Sequence, residues 1–308
     1  MPSPTPVPGT PREVALRMAD QRQFAQGVQW LERALVDAGG IDECHAVASA
    51  LGEVARSAES AGDLDAAQLA LEIATRSVEW ADLFCQYGCL LARRGRRAEA
   101  RSALDRALAI NPRYRTAVVE RALLDAREGR IAEAMQTLRV LAADGVLTEP
   151  GAFQQGMDRL GRADFEDAGP LLRRALQGGD AWLEEQLHQY QERLYVGDMA
   201  GGLALLRAAV GERPGYPDLQ LLLGAHERQM GALDDALESL AHALQLNPDY
   251  HAARVELART LEVLGDTPQA LRQLGLVIAH DPGHAEARSL HERLTARRPG
   301  ARALTGGR

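Results

Sequence analysis

Apolar residues in this chain recur with a long, fixed period as well as at the short spacing of helices. A leucine returns every 34 residues over most of the sequence, at Leu104, Leu138, Leu172, Leu206, Leu240 and Leu274. Two further leucines, Leu31 and Leu71, precede this series out of strict step. Such a period is typical of a stacked array whose units pack on their neighbours, and it argues against a single globular core.

The segment Pro217–Tyr250 shows what one unit contains. Apolar residues recur at helical spacing on both sides of Gly231, which can end a first helix. The adjacent acids Asp234 and Asp235 favour the start of a second helix, because negative charge is stabilising there. Pro248 then stops that helix. The unit is therefore predicted to be a helix–turn–helix pair.

Small residues let the two helices of a unit approach closely. Gly224 and Ala236 leave room between the backbones, and Leu240 then fills the seam. Full burial of such a leucine contributes about 1.5–3 kcal/mol. Repetition of this contribution can hold an elongated chain together.

This pattern resembles the tetratricopeptide repeat (TPR) family. Six consecutive blocks fit a 34-residue register without a gap: 81–114, 115–148, 149–182, 183–216, 217–250 and 251–284. The small residue before the seam recurs as Ala100, Ala134, Ala168, Gly202, Ala236 and Ala270. The proline that ends a unit recurs as Pro112, Pro214, Pro248 and Pro282. Two weaker units lie upstream, near 8–41 and 48–80.

The resemblance implies an all-α fold, a right-handed superhelical solenoid of about eight TPR-like helix–turn–helix repeats over 8–284. A C-terminal capping helix is expected over 285–298, where it would shield the last apolar seam. The proline-rich start, 1–7, is expected to be flexible. The basic, small-residue tail, 299–308, is expected to be disordered.

The stretch 145–202 is predicted to be the least regular part of the array. Pro170 falls inside the expected second helix of block 149–182, where proline would cost about 3 kcal/mol. That helix could therefore start late, with Pro170 in its first turn. Gly201 and Gly202 weaken the next second helix. Sequence drift and a hinge that shapes a binding surface are both open interpretations.

In the TPR family the second, fifth, ninth and twelfth residues of a block usually line a concave groove. The resemblance therefore implies a partner-binding groove that includes Cys85, Cys89, Val119, Leu123, Phe153, Met157, Leu187, Gln191, Leu221 and Arg228. Its apolar members would form a continuous strip that accepts an amphipathic helix or an extended segment. Alternatively, tight winding of the array buries some of these side chains as core.

Charge and composition narrow the possible functions. The chain has 43 acidic and 35 basic residues and a net charge of -8, which disfavours binding to nucleic acid. It contains no lysine, which excludes a P-loop lysine and a Schiff-base lysine. No stretch is apolar enough to insert into a membrane, and the N-terminus lacks a signal-peptide pattern. A cytoplasmic location is expected.

Cysteine and histidine form no familiar metal motif. Cys85 and Cys89 share one helix face, but no third ligand stands at a usual spacing, so two reduced thiols are expected. His280, His284 and His291 gather near the C-terminus, where ordinary surface histidines are the favoured interpretation. No metal and no cofactor are expected. The sequence also lacks the nucleophile and zinc motifs of common hydrolases, so the protein is not expected to be an enzyme.

The sequence predicts a non-catalytic scaffold or adaptor that binds a protein or peptide partner. One alternative is a structural subunit that belongs permanently to a larger complex or self-assembles, so self-association is open. Another is the substrate-recognition subunit of an enzyme whose catalytic domain lies on a different chain.

Overall fold

The computed structural model describes residues 11–38, 41–143, 147–176 and 180–296. Within these ranges the chain forms 17 α-helices and no β-strand, so the predicted all-α class is confirmed. The start (1–7) and the tail (299–308), for which flexibility and disorder were expected, lie outside the described residues. The chain divides into two compact units, Met1–Ala181 and Trp182–Arg308.

Unit 1 contains five helical pairs. They are α1 (Pro11–Asp20) with α2 (Phe24–Asp37), α3 (Ile41–Ala61) with α4 (Leu64–Ser77), α5 (Ala81–Arg93) with α6 (Arg97–Ile110), α7 (Arg115–Arg127) with α8 (Ile131–Leu141), and α9 (Pro150–Gly161) with α10 (Phe165–Leu176).

Unit 2 contains three pairs and one single helix, and its first helix begins at the boundary between the units. The pairs are α11 (Asp180–Tyr195) with α12 (Met199–Glu212), α13 (Pro217–Gln229) with α14 (Leu233–Leu246), and α15 (His251–Val263) with α16 (Thr267–His280). The single helix α17 (Ala285–Ala296) packs against α16.

A residue in the left-handed conformation ends the first helix of each pair. In six pairs it is a glycine with φ between 76° and 94°: Gly62, Gly95, Gly129, Gly197, Gly231 and Gly265. The first and fifth pairs instead place Arg22 and Ala163 at φ 58°. A Cβ crowds the following carbonyl oxygen in this conformation, so both residues are strained and glycine is not.

The leucine period marks a close contact between the helices of a pair. A Cβ added to Gly224 of α13 would lie 2.7 Å from the Cγ of Leu240 in α14, closer than atoms can approach. Gly88 meets Leu104 at 2.7 Å and Gly156 meets Leu172 at 2.8 Å in the same way. All three leucines are buried, which confirms the predicted seam.

The fifth pair departs from the packing of the pairs before it. Successive first helices pack on each other in unit 1, as α1 does on α3 and α5 on α7, but the second helix α10 packs on α7. The segment that leads into α9 contacts the end of α10. There the amide of Thr148 donates to the carbonyl oxygen of Ala175 at 2.9 Å.

The expectation that this second helix starts late is wrong. Helix α10 begins at Phe165 and carries Pro170 in its second turn. The amide of Ala168 donates to the carbonyl oxygen of Asp164 at 3.1 Å, so helical hydrogen bonding is established before the proline. Pro170 removes the hydrogen bond that its own amide would have made, and its ring crowds the carbonyl oxygen four residues earlier.

Candidate partner-binding surface

Half of the predicted groove residues are buried. Val119 is fully buried, and the exposed fractions of Cys85, Leu123, Met157 and Leu221 are only 2–4%. The interpretation that these side chains belong to an exposed apolar strip is therefore wrong. They contribute to the core instead, as the alternative from the sequence allowed.

Helix α10 explains the burial on α7. Val119 and Leu123 of α7 share an apolar cluster with Leu172 and Leu176 of α10. Gly169 comes so close that a Cβ on it would lie 3.8 Å from the Cδ1 of Leu123. The surface that the TPR pattern assigns to a groove is thus filled by a helix of the same chain.

An ion pair fixes α10 on α7. The Nη2 of Arg173 donates to the Oε2 of Glu120 at 2.8 Å, and the Nε donates to the second carboxylate oxygen. The hydrogen bond to Glu120 raises the pKa of Arg173 above its ordinary value. Two parallel bonds of this kind define orientation as well as distance.

The two cysteines of α5 lie beside each other, as their spacing predicts. Cys85 is buried in the apolar cluster of the third pair, whereas Cys89 packs at the edge of that cluster. The hydrogen bond to Cys89, together with burial, raises the pKa of the Cys85 thiol well above its ordinary value. A thiol that resists deprotonation is a poor nucleophile and a poor metal ligand. No group of three His, Cys, Asp or Glu side chains in the described residues is arranged to hold a metal ion.

Four predicted groove residues are partly exposed: Cys89, Phe153, Leu187 and Arg228. Phe153 packs at the edge of the cluster that joins α7 and α10, and Leu187 packs beside Tyr190 and Leu206 in unit 2. The side chain of Gln191 lies outside the described part of the chain. Contact of these residues with a partner stays a prediction.

A charged network crosses the first helices of unit 2. The Nε of Arg228 in α13 donates to the Oε2 of Glu256 in α15 at 3.0 Å. The Nε of Arg259 lies 3.4 Å from the Oε1 of Glu256, and its Nη2 donates to Glu286 of α17. We call these four residues the unit 2 network. Its side chains link α13, α15 and α17.

Burial makes Glu256 the centre of this network. Only 4% of its side chain is exposed, and burial raises its pKa although the two arginines act in the opposite direction. The Oε1 of Glu256 and the Nε of Arg259 have no hydrogen-bond partner in the described structure. The side chains of Arg228 and Arg259 stay 19% and 28% exposed, so both are held in place and remain partly accessible to solvent.

The sequence pattern found only part of this network. Arg228 was predicted to line the groove, but Glu256 and Glu286 stand at positions that the family pattern does not assign to it. One signal was present, because a glutamate follows Arg228 and Arg259 at separations of 28 and 27 residues. These separations bring residues of neighbouring repeats together.

Unit 2 also exposes an apolar residue at the end of each first helix. Val196, Met230 and Leu264 occupy the same position in three consecutive repeats, and all three are exposed. Three of the five corresponding residues of unit 1 are charged, namely Arg94, Glu128 and Arg162, and the other two are Gln21 and Ala61. We call Val196, Met230 and Leu264 the apolar row. A row at a fixed position is more specific than scattered surface residues, which are common.

Family models of the tetratricopeptide repeat match three stretches of this sequence. One matches residues 227–294, and a second matches residues 87–145 and 189–251. Together they cover more than half of the 308 residues. No curated protein matches the sequence.

The solved structures similar to this chain include TPR proteins. The TPR domain of P58(IPK) is 14% identical with a TM-score of 0.35, and the match covers 81% of this chain and 64% of that one, just under two thirds of its length. A TPR protein from Thermus thermophilus is 24% identical with a TM-score of 0.33, covering 70% and 99%. One from Parabacteroides merdae is 13% identical with a TM-score of 0.38, covering 93% and 100%.

No helix in the described residues is both long enough and apolar enough to cross a lipid bilayer.

Proposed function

Because the chain belongs to the tetratricopeptide repeat family, we propose that it is a non-catalytic scaffold that binds a segment of a partner protein on the first helices of unit 2. Repeats of this family support protein–protein interaction in general, and the fold is typically non-catalytic. The proposal assigns binding to the unit 2 network and to a partner segment that carries carboxylates.

The observation that carries the proposal is the state of the two arginines. Buried Glu256 holds Arg228, and Glu256 and Glu286 flank Arg259, so neither guanidinium has to be ordered when a partner arrives. Binding that needs little ordering loses little side-chain entropy. Exposed N–H groups of a guanidinium match the two oxygens of a carboxylate. A partner carboxylate can therefore join the network without displacing Glu256.

The packing of unit 1 supports the same assignment. Its apolar first-helix surface on α7 is filled by α10, which leaves no open apolar strip there for a partner helix. Polar recognition by unit 2 fits the exposed side chains better than apolar recognition by unit 1 does.

The test removes charge from the network but keeps its shape. A triple variant, Arg228→Gln with Glu256→Gln and Arg259→Gln, eliminates both cations and the buried carboxylate together, so no unpaired charge is left inside. Arg272→Gln on α16 is the matched control, because Arg272 is an exposed arginine of a second helix. Partners are captured from the native cell, identified by mass spectrometry, purified and titrated against each variant.

We expect the triple variant to lose at least tenfold in affinity and the Arg272→Gln control to bind as the parent does. Binding of the parent should also weaken as salt is raised, since charged contacts are screened. Equal binding by the triple variant, with unchanged helicity in circular dichroism, would contradict the proposal.

The apolar row favours a second candidate, a subunit that belongs permanently to a larger assembly. Exposed apolar residues at one position of consecutive repeats offer a line of contact to another protein. Replacement of Met230 and Leu264 with glutamine would then release the chain from the complex in which the parent is isolated from the cell. A chain that stays in the complex, or that is a monomer from the start, would count against this candidate.

A further inference from the structure

Two histidines meet where the last helical pair closes. His251 is the first residue of α15, and His280 is the last residue of α16. The Nε2 of His251 lies 3.0 Å from the Nδ1 of His280, and the ring centroids are 4.8 Å apart. We propose that this pair binds a divalent late transition-metal ion, such as Ni²⁺, through these two nitrogens. The inference does not depend on the function proposed above.

The distance between the nitrogens suits two neighbouring positions around one ion. For an ion about 2.0–2.1 Å from each nitrogen, the usual metal–imidazole distance, the angle between the two nitrogens would be about 91–97°. Adjacent ligands of square-planar and octahedral sites stand at about this angle, and Cu²⁺ and Ni²⁺ favour such geometry. Tetrahedral zinc would need the nitrogens farther apart.

The arrangement of the rings agrees with the same geometry. With each centroid about 1.2 Å behind its nitrogen, coordination at this angle would place the centroids about 4.7 Å apart. A straight N–H···N bond along both ring axes would place the centroids about 5.4 Å apart. The observed 4.8 Å is close to the first value. The rings are therefore already tilted as two ligands of one ion would be.

Access and further ligands also fit a site with two protein ligands. His251 is buried and His280 is exposed, so an ion can enter from solvent on the side of His280. The ring of His284 lies 6.3 Å from that of His251, and its Nδ1 accepts a hydrogen bond from the amide of Ala287 at the start of α17. Water completes the coordination, because no set of three candidate ligands in the described residues is arranged around one ion.

The experiment titrates Ni²⁺ into the full chain without an affinity tag and measures binding by calorimetry. His280→Gln removes one ligand from an exposed position, so its fold should be kept, and circular dichroism checks this. His242→Gln, a histidine of α14 outside the pair, is the matched control. The parent and the His242→Gln control should each bind one Ni²⁺ at this site, and His280→Gln should weaken that binding at least tenfold.

Thermal unfolding gives a second readout. Ni²⁺ should raise the unfolding temperature of the parent, since an ion that binds only the folded state stabilises it, and should do so less for His280→Gln. A His284→Gln variant that binds as the parent does would support two protein ligands. Binding and unfolding of His280→Gln that match those of the parent would overturn the proposal, because the ion would then bind elsewhere.

Discussion

The strain at Ala163 gives the sharpest prediction about stability. Ala163 adopts φ 58° at the end of the first helix of its pair. Six other pairs have a glycine in this left-handed conformation at the same position. A residue with a Cβ loses about 1–2 kcal/mol there. Glycine avoids this loss but gives up about 0.5–1 kcal/mol through the greater freedom of the unfolded chain. Ala163→Gly should therefore stabilise unit 1 by about 0.5–1 kcal/mol.

Two glycines of unit 2 provide the reciprocal test. A Cβ on Gly231 would meet nothing within 4 Å, so Gly231→Ala changes backbone conformational energies alone and should destabilise by about 0.5–1 kcal/mol. Gly211 lies within α12 and also has free space around it. Gly211→Ala should stabilise by about 0.5–1 kcal/mol, because alanine favours a helix over glycine. The same substitution is thus expected to have opposite signs.

Urea unfolding followed by circular dichroism measures these changes. Repeat arrays need not unfold in one step, so hydrogen exchange in α9 and α10 should follow Ala163→Gly locally. A gain of this size corresponds to about 2 °C in unfolding temperature. Destabilisation by Ala163→Gly, or equal effects of the two glycine substitutions, would refute the assignment of strain to backbone conformation.

Three further predictions concern unit 1. Leu123→Ala should destabilise by about 2–5 kcal/mol in urea, because the side chain is buried under α10, whereas Val140→Ala at an exposed site should change little. Pro170→Ala should stabilise α10 by about 1–3 kcal/mol, because it restores an amide that helix α10 lacks; slower hydrogen exchange would show this, and faster exchange would refute it. Burial lowers the pKa of His45, beside Trp80, from 6.5 to about 4. Between these pH values His45 is protonated only in the unfolded state, so the free energy of unfolding of the parent should fall by about 2–3 kcal/mol as pH drops from 6.5 to 4. In His45→Phe the fall should be smaller by this amount. Identical pH profiles of unfolding free energy would contradict the shift.

The sequence was most informative about the contacts within a pair. The leucine period and the residues Gly224 and Leu240 identified the seam, because a close approach of two helices admits few residue types. The turn positions followed from the same logic, since a left-handed residue favours glycine. Ala163 has the same left-handed backbone conformation, but because it is not a glycine the sequence does not indicate a turn there.

The contact of α10 with α7 could not be predicted from the repeat pattern. Pro170 indicated irregularity in block 149–182, but Ala168 and Leu172 stand where a regular second helix has them, so nothing in the block indicated that α10 packs on α7. The partner residues, such as Glu120 and Arg173, lie 53 positions apart and follow no repeat spacing. The two glutamates of the unit 2 network were missed for a related reason. Its central residue, Glu256, is recognisable only from Arg228 on a neighbouring helix and Arg259 three residues later on its own helix.

The position of α10 has a consequence for how unit 1 can be divided. Val119 and Leu123 are shielded by a pair that comes later in the chain. A fragment that stopped after α8 would therefore expose the leucine and valine side chains of this part of α7 to solvent. We expect such a fragment to aggregate or to bind unrelated proteins. Binding of that kind could be mistaken for recognition of a true partner. Fragments meant to report on binding by unit 1 should keep the fifth pair.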